Sequence, residues 1–350
     1  MDKVILHWVR IPFLEPFRIS NGSVEVKDSI VVEAREGSLA GFGEASPMAG
    51  SFYSPETPES TWDDLARAIP AKEAPREAFA RAGLDGARWD LECRRAGEPL
   101  WRLLGAVPRP IPSGVAIGIF DTIEELVERV GRFLAEGYRR VKIKIQPGWD
   151  VEPVRAVRER FGNVPLMVDA NAAYKLEDLA VFRELDRFGL IMYEQPLGRE
   201  ALEEMAELQR QVRTPVCADE SAESIEALDR IVRLGSARII NIKIQRVGGI
   251  GTARQMHDRA REAGLDCWLG TMPELGIAAA QGLHLATLPG FTYPTDVEAS
   301  ARWYADDLVD PALAIDRDGW IHIPPGPGSG FEVNRGRLER YTVRRMELTP

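Results

Sequence analysis

Five charged residues recur at nearly constant spacing in the middle of this chain: Lys144, Asp169, Glu194, Asp219 and Lys243. Successive members are 25, 25, 25 and 24 residues apart, and each closes a short apolar run. In a parallel β-barrel such positions are where a strand ends and its loop begins, and the C-terminal ends of barrel strands carry the chemistry. We therefore expect the five side chains to converge on one site.

The three acids of this series predict a divalent-metal site. Carboxylate oxygens are the hard ligands that Mg²⁺ prefers, and three of them leave coordination positions open for water or substrate. A single acid at a strand end is more often a helix cap, but three in register, at Asp169, Glu194 and Asp219, favour a metal. We predict Mg²⁺, with Mn²⁺ as an alternative, and expect Asn171 and Glu220 to support the ligands.

The lysines predict acid–base chemistry. Lys142 and Lys144 lie two residues apart in a strand and so face the same side, the barrel interior, where an unpaired ammonium is costly. Such crowding beside a divalent cation is expected to lower their pKa values and to make a neutral amine available. Lys243, four strands further round, lies across the barrel mouth. Two bases on opposite faces of a metal-bound carboxylate suit removal of an α-proton, with the metal stabilising the enolate.

Strand and helix patterns alternate from about residue 112 onward. Seven short apolar strands each precede an amphipathic helix, which indicates parallel βαβ units. Strands too apolar to alternate in polarity favour a closed barrel over an open doubly wound sheet. The chain also lacks the glycine-rich dinucleotide and phosphate motifs that would support an open sheet. We predict an α/β fold built on a TIM-like (β/α)7β barrel.

The first 110 residues and the C-terminal tail have a different pattern. Two strand-like runs, at residues 4–13 and 28–37, predict an antiparallel hairpin, and residues 73–105 have a helical pattern. Prolines at 107–112 mark the boundary because proline cannot lie inside a helix or a central strand. The predicted divisions are an N-terminal α+β capping domain over 1–110, the barrel over 111–315 and a C-terminal segment, 316–350, that packs back toward the cap.

Composition restricts the class of partner. The net charge of −10 over 350 residues argues against nucleic acid or an anionic membrane as partner. The sequence has neither a secretory leader pattern at its start nor a run of 18 apolar residues. Its cysteines, Cys93, Cys217 and Cys267, are widely spaced without a CxxC pair, which is typical of a reduced compartment. We expect a cytoplasmic homo-oligomer that acts on a small-molecule carboxylate.

The motifs that carry these residues resemble those of the enolase superfamily, muconate-lactonising subgroup. They are Lys142-x-Lys144, Asp169-Ala-Asn171, Glu194-Gln195-Pro196, Asp219-Glu220-Ser221 and Lys243. More narrowly, the KIKIQPGWDVEPVRAVRERFG, NIKIQRVGG and GEASPMAGSFYSPET segments are similar to the o-succinylbenzoate synthase and N-succinylamino acid racemase family. A silent scaffold of the same fold would be expected to lack a ligand or a base, and all five positions are intact.

The resemblance implies a reaction and roles for individual residues. The reaction is a Mg²⁺-dependent syn dehydration of a cyclohexadiene carboxylate through an enediolate, in menaquinone biosynthesis. N-succinylamino acid racemisation is the alternative, alone or in the same protein, and another racemase or epimerase of the subgroup is the third possibility. Lys144 would be the acid–base catalyst, and Lys243 would stabilise the enolate or act as second base. Arg246 resembles an arginine of the racemase-associated branch.

The resemblance also implies where substrate binds. Cap loops near residues 17–22 and 48–53 should close the site and select the substrate. Residues 270–276, at the end of the seventh predicted strand, should contact the substrate. The candidate substrate-binding residues are Ser20, Phe52, Tyr53, Thr271 and Met272. Two departures from the family pattern lie at these contacts: Ala116 stands where relatives often have serine, and Thr271 where they often have glycine. Glu274 is the candidate to bind an amine in a dipeptide epimerase.

Overall fold

The structure is a computed structural model that describes residues 1–19, 22–50 and 54–350. Its N-terminal part is an antiparallel sheet packed against helices. The elements are β1 (Lys3–Ile19), β2 (Gly22–Glu36), β3 (Leu39–Ala45), α1 (Pro58–Ala71), α2 (Ala78–Ala96) and α3 (Leu100–Leu103). Strands β1 and β2 pair antiparallel, as predicted. The sequence pattern did not indicate β3 or α1.

Two glycines of β3 allow α2 to approach the sheet closely. A Cβ on Gly41 would lie 2.2 Å from the backbone nitrogen of Leu91, and one on Gly43 would lie 2.1 Å from the carbonyl oxygen of Gly83. Since both neighbours are backbone atoms of a helix, no side chain can turn away to make room. The Gly-x-Gly pattern of β3 is thus a steric requirement of the cap.

Seven strands form the parallel sheet of the barrel, arranged in chain order from β5 to β11. After the short β4 (Ile111–Pro112), they are β5 (Val115–Ile117), β6 (Val141–Lys144), β7 (Leu166–Asp169), β8 (Tyr193–Glu194), β9 (Val216–Ala218), β10 (Ile239–Ile242) and β11 (Asp266–Leu269). The segment 291–298 closes the ring, since Phe291 bridges to Cys267 of β11 and Thr295 bridges to Ser113, two residues before β5. The predicted (β/α)7β barrel is confirmed.

Helices follow the barrel strands on the outside. They are α4 (Ile123–Glu136), α5 (Val151–Phe161), α6 (Leu179–Leu185), α7 (Leu202–Gln211), α8 (Ile225–Leu234), the one-turn α9 (Ile244–Val247), α10 (Ile250–Glu262) and α11 (Gly276–Leu285). In α4 the buried residues Leu126, Val130 and Phe133 recur at helical spacing. In contrast, all residues of α11 are buried, and this helix packs against α3, β3 and α2 as well as α10. It therefore lies between the barrel and the cap.

The C-terminal part contributes strands that pair with β4 and with β1 of the cap. Its elements are α12 (Ser300–Trp303), β12 (Val309–Asp310), β13 (Trp320–Ile321), β14 (Glu332–Val333), α13 (Arg335–Tyr341) and β15 (Thr342–Leu348). Strand β13 pairs with β4, and β15 pairs antiparallel with β1, with Leu348 opposite Val4. The last strand thus completes the four-stranded cap sheet. Within the described ranges, every helix is too short or too polar to cross a membrane.

Buried polar contacts fasten the cap to the barrel. The Glu44 carboxylate accepts hydrogen bonds from the backbone nitrogens of Leu275 (2.9 Å) and Ala278 (3.0 Å), at the start of α11. The Gln245 side chain donates to the Glu44 carbonyl oxygen (2.9 Å) and accepts from the Ser46 backbone nitrogen (3.0 Å). Because Gln245 lies two residues after Lys243, the end of β3 is tied directly to a predicted catalytic strand end.

The outer part of β1 also reaches the barrel. Pairing between β1 and β2 is interrupted over residues 13–16, which we call the cap arm. The Phe13 ring stacks on Tyr304 with centroids 5.4 Å apart. The Glu15 carboxylate accepts two hydrogen bonds from Arg129 of α4, at 3.0 and 2.8 Å. The cap arm therefore lies against barrel residues rather than in the cap sheet.

Replacing Gly43 with alanine should destabilise the cap. The added methyl group would meet the Gly83 carbonyl oxygen at 2.1 Å and the Ala87 backbone nitrogen at 2.4 Å. We expect the free energy of unfolding in urea to fall by about 2 kcal/mol or more. Gly198→Ala is the matched control, because a Cβ there meets no atom within 4 Å. Equal stability of the two variants would contradict the close packing of β3 on α2.

Candidate active site

The five residues of the sequence repeat meet at the C-terminal end of the barrel. Lys144, Asp169 and Glu194 are register partners across β6, β7 and β8. The Lys144 ammonium lies 2.8 Å from Asp169 Oδ2, and the Lys243 ammonium lies 2.9 Å from Asp219 Oδ2. Strand β6 ends at Lys144 and Lys243 directly follows β10, and these two strands are four positions apart in an eight-part ring. The lysines consequently face each other across the barrel mouth.

A cavity of about 630 Å³ lies over these strand ends, within the size range of small-molecule sites. Lys144 and Lys243 line it, as do Ala116, Thr271 and Met272. Two of the predicted substrate-binding residues, Thr271 and Met272, are thus placed at the cavity wall. The other three, Ser20, Phe52 and Tyr53, lie outside the described residues.

Lys142 is held in the barrel interior by three carboxylates. Its Nζ lies 2.5 Å from Asp296 Oδ2, 3.2 Å from Glu194 Oε2 and 3.9 Å from Asp169 Oδ2. Burial alone would lower the pKa of Lys142, but Asp296, Glu194 and Asp169 raise this pKa well above its usual range. The lowering expected for Lys142 beside a bound divalent cation stays a prediction, because the raised pKa reflects the protein groups alone. In this arrangement it is a fixed cation that orients carboxylates.

Lys144 differs from Lys142 in being accessible. Both lysines line the cavity, but the Lys144 side chain is 17% exposed, against 6% for Lys142. The ammonium donates to Asp169 Oδ2 and to Asn171 Oδ1. Asn171, with a left-handed φ of 40°, donates in turn to Glu220 Oε1 at 3.1 Å. Asn171 and Glu220 thus form a hydrogen-bonded chain behind Lys144, and their support of the metal ligands stays a prediction.

Asp219 is flanked by two cations. Besides Lys243, the Arg246 guanidinium contacts both Asp219 oxygens, with Nη2 3.3 Å from Oδ2. Burial alone would raise the pKa of Asp219, but Arg246 and Lys243 hold it well below its usual range. The one-turn helix α9 explains this grouping, because residues three apart lie on the same helix face. Arg246 therefore lies in the same charge cluster as Lys243 and Asp219.

Glu194 is the most isolated of the three acids. It is fully buried, and Oε1 accepts a hydrogen bond from Asn241 Nδ2 at 2.9 Å. Among the described residues Oε2 has no hydrogen-bond partner, only the ion-pair contact with Lys142 at 3.2 Å. Burial, together with the charges of Asp169 and Asp219, raises the pKa of Glu194 to about 8. A further cation would relieve the repulsion within this group.

The donor set fits a hard divalent cation. Asp169, Glu194 and Asp219 supply only carboxylate oxygens from three adjacent strand ends, the ligand type that Mg²⁺ and Mn²⁺ take. In the described ranges, no three His, Cys, Asp or Glu side chains are grouped as a ready-made metal site. Lys142 pairs with Glu194, and Lys243 and Arg246 pair with Asp219. Metal binding would exchange these ion pairs for metal–oxygen bonds.

Three further polar residues hold the site together, and the spacing of the acids did not reveal their roles. Asn241 donates to Glu194. In the sequence it could have been noticed as a polar residue inside the apolar run IINIKI. Gln195 accepts from the Asp219 backbone nitrogen at 2.9 Å. Asp296 pairs with Lys142 and Arg140; burial opposes ionisation, yet these cations lower the pKa of Asp296 to about 2. Asp296 lies in the irregular segment 291–298, which has no strand-like pattern.

Comparison with known families agrees with this geometry. Residues 125–337 match the family model for the enolase C-terminal domain-like fold, which is more than half of the chain. Residues 58–105 match the N-terminal domain of mandelate racemase / muconate lactonizing enzyme. The chain belongs to the enolase superfamily. The family resemblance carried by the sequence motifs is thereby confirmed, and a divalent metal is typical of this superfamily.

Individual relatives within the superfamily match over nearly the full chain. An o-succinylbenzoate synthase from Geobacillus kaustophilus is 39% identical, covering 98% of this chain and 96% of its own length. An N-succinylamino acid racemase from Amycolatopsis sp is 41% identical, covering 99% and 98%. A crystal structure of an enolase superfamily member from Listeria innocua has a TM-score of 0.94 at 32% identity, covering 99% and 98%. The N-succinyl Arg/Lys racemase structure from Bacillus cereus has a TM-score of 0.91 at 26% identity, covering 99% and 100%.

Replacing Glu194 with glutamine should weaken divalent-metal binding. The amide keeps the shape of the side chain and an acceptor for Asn241, but it removes one charged ligand. We expect the dissociation constant for Mn²⁺, measured by titration calorimetry, to rise by about 100-fold or more. Glu159→Gln, on an exposed part of α5, is the control and should bind as the wild type does. An unchanged constant for the Glu194 variant would remove this residue from the ligand set.

Proposed function

We propose that this chain is an o-succinylbenzoate synthase, a carbon–oxygen lyase that dehydrates a cyclohexadiene carboxylate in menaquinone biosynthesis. The observation that carries the proposal is the placement of Lys144, an accessible amine on the cavity wall, bonded to Asp169 and directly across from Lys243. The full-length relatives named o-succinylbenzoate synthase support the choice of substrate. Mg²⁺ is the proposed metal, held by Asp169, Glu194 and Asp219.

Lys144 acts first as base and then as acid in this proposal. Its neutral amine removes the proton α to the substrate carboxylate, which breaks a C–H bond and leaves the enediolate form of the substrate. The resulting ammonium then gives its proton to the departing hydroxide, so that one water molecule leaves as the C–O bond breaks. A single residue on one face of the substrate gives elimination with syn geometry. When bound, the divalent cation supplies electrostatic stabilisation of the substrate carboxylate as it gains negative charge.

Lys243 stabilises the enediolate from the opposite side. Its ion pair with the strongly acidic Asp219, shared with Arg246, favours the ammonium form. A buried cation, with a side chain only 4% exposed, interacts strongly with developing negative charge because little water screens it. Arg140 and Lys142 both pair with Asp296, and Lys142, which also lines the cavity, contacts two of the candidate metal ligands, Glu194 and Asp169.

Racemisation of N-succinylamino acids is the second candidate, and Lys243 is the observation that favours it. An amine on each face allows one lysine to remove the α-proton and the other to return a proton to the opposite face. Lys144 and Lys243 have this arrangement, and racemases occur among the full-length relatives. Because both reactions begin with the same proton removal, one site can carry both.

Dipeptide epimerisation receives less support from the proposed amine-binding residue. Burial, together with the nearby Glu44 carboxylate, raises the pKa of Glu274 to about 8. At neutral pH its carboxyl group is therefore mostly protonated, and a neutral carboxyl attracts an ammonium only weakly. Glu274 lines the cavity, where it is better suited to donate a hydrogen bond to a substrate oxygen.

We also propose that the enzyme works in the cytoplasm as a homo-oligomer. All three cysteines are buried and unpaired, as suits a reducing compartment. Light scattering coupled to size-exclusion chromatography tests the assembly. A mass of 38.9 kDa in solution, that of one chain, would contradict the homo-oligomer.

Lys144→Ala should abolish dehydration while leaving the fold and metal binding in place. Loss of a general base costs about 100- to 10,000-fold in rate, and here the same residue is also the acid. The assay follows the loss of the cyclohexadiene absorbance with Mg²⁺, and chelation by EDTA should stop the wild-type reaction. Lys175→Ala, at an exposed lysine, is the control and should retain wild-type turnover. Wild-type activity in the Lys144 variant would contradict the proposed acid–base role of this residue.

Wild-type protein that leaves the cyclohexadiene substrate unchanged would reject the synthase. Racemisation would then be tested by exchange of the α-proton of N-succinylamino acids in D₂O. For a two-base racemase, Lys243→Ala should still exchange the proton of one enantiomer but lose interconversion. Loss of exchange for both enantiomers on removing Lys243 would contradict separate bases on the two faces.

A further inference from the structure

The cavity extends from the lysines to a group of arginines at the side of the cap arm. Arg129 and Arg132 of α4 and Arg302 of α12 line the same cavity as Lys144 and Lys243. These guanidinium groups lie outside the metal and lysine cluster, and the mechanism above does not use them. Their presence gives one cavity two separate sets of cations.

Arg302 is the buried member of the group. Its side chain is 13% exposed, compared with 23% for Arg129 and 50% for Arg132. The guanidinium carbon lies 4.3 Å from the centre of the Trp303 ring and 4.9 Å from that of Phe133. Aromatic surroundings of this kind exclude water and strengthen any charge interaction made there.

The hydrogen-bonding capacity of Arg302 is poorly used. Its Nε is fully buried and has no hydrogen-bond partner among the described residues. The carboxylates beside it lie beyond hydrogen-bond distance, with Glu298 Oε2 at 3.6 Å and Glu15 Oε2 at 4.0 Å. A buried guanidinium without close acceptors costs free energy, which an incoming anion would recover.

Glu298 orients Arg302 without neutralising it fully. The Glu298 side chain is 2% exposed, and its Oε1 accepts a hydrogen bond from the Ala116 backbone nitrogen at 2.8 Å. Burial raises the pKa of Glu298 to about 7, so its carboxyl is only partly ionised at neutral pH. Glu298 therefore holds the Arg302 guanidinium in place, and the guanidinium can still attract a second anion.

The cap arm shows that a carboxylate fits among these arginines. Glu15 places both carboxylate oxygens within 3.0 Å of Arg129 Nη1, and one of them is 4.0 Å from Arg302. Arg129 is therefore already engaged by Glu15, and Arg132 lies 3.7 Å from Glu136. Arg132 is half exposed, so water can satisfy its donors, whereas Arg302 is the most buried of the three and its Nε has no hydrogen-bond partner among the described residues.

We propose that Arg302 binds a second carboxylate of the substrate, at the end remote from the carbon that loses its proton, and thereby selects dicarboxylates. This inference rests on the proposed function, because both candidate substrates carry a succinyl group that ends in such a carboxylate. The planar guanidinium can donate two hydrogen bonds to one carboxylate, which favours this group over an uncharged chain end. Arg302 is thus a specificity-determining residue, separate from the catalytic lysines.

The test compares two ligands that differ only at the remote end. N-succinylphenylalanine ends in a carboxylate, and N-butyrylphenylalanine has a methyl group in its place. Titration calorimetry with Mg²⁺ present should show that the wild type binds the succinyl compound about 10- to 100-fold more tightly. In Arg302→Gln this ratio should fall to about one, with binding of the butyryl compound unchanged.

Matched variants distinguish this role from a general effect of charge or folding. Arg132→Gln removes a cavity arginine that is half exposed, and it should keep the wild-type ratio. Arg302→Lys keeps the charge but loses the two-pronged donor, so its ratio should fall between those of the wild type and Arg302→Gln. This variant also carries the test if the glutamine variant does not fold. A ratio that survives either Arg302 substitution, or that falls equally in Arg132→Gln, would overturn the inference.

Measurements of binding and of turnover distinguish a failure of the role of Arg302 from a failure of the proposed function. If the wild type binds with the predicted ratio but neither dehydrates nor racemises, the proposed function fails and the role of Arg302 stands. If the wild type turns over its substrate and the ratio survives in Arg302→Gln, the role of Arg302 fails alone. Equal binding of the two ligands by the wild type would also overturn it.

Discussion

Charge balance among buried groups at the carboxyl ends of the barrel strands is the constraint on which the rest depends. Asp169, Glu194 and Asp219 cannot all remain ionised in a water-poor interior unless cations lie among them. Lys142, Lys243 and Arg246 supply these cations in the structure described here. The barrel satisfies the geometric side of this requirement, because adjacent parallel strands deliver one charged side chain each to the same edge.

This charge cluster also explains why the surrounding polar residues are placed as they are. A buried ion needs hydrogen bonds as well as a counter-charge, and two of the three carboxylates have a neutral partner. Asn241 serves Glu194, and the backbone of Asn171 serves Asp169. Gln195 joins the ends of β8 and β9 through the backbone of Asp219. The base of the pocket is therefore held by a connected set of hydrogen bonds and ion pairs.

Much of this organisation can be predicted from the sequence, because a βα repeat converts constant spacing along the chain into proximity in space. The barrel and the family follow from that repeat, and both are confirmed. The raised pKa of Lys142 could not be foreseen, since it depends on Asp296, whose segment has no strand pattern. The burial of Arg302 could not be predicted either. Phe133 is distant from it in sequence, and Trp303, the next residue, is not part of a helix or strand pattern. The roles of Ser20, Phe52 and Tyr53 stay predictions.

The side chain of Gln245 forms two hydrogen bonds with the backbone at the end of β3, much as a neighbouring strand would. Since the same residue lies two positions after Lys243, the cap and the barrel are not interchangeable modules. A cap taken from a relative would have to place its β3 backbone where it can bond to Gln245. Otherwise the end of β10, and Lys243 with it, would shift. Recombining caps and barrels to obtain new specificities is therefore limited by this amide together with the Glu44 contacts to α11, and exchange of the cap arm alone is the less disruptive route.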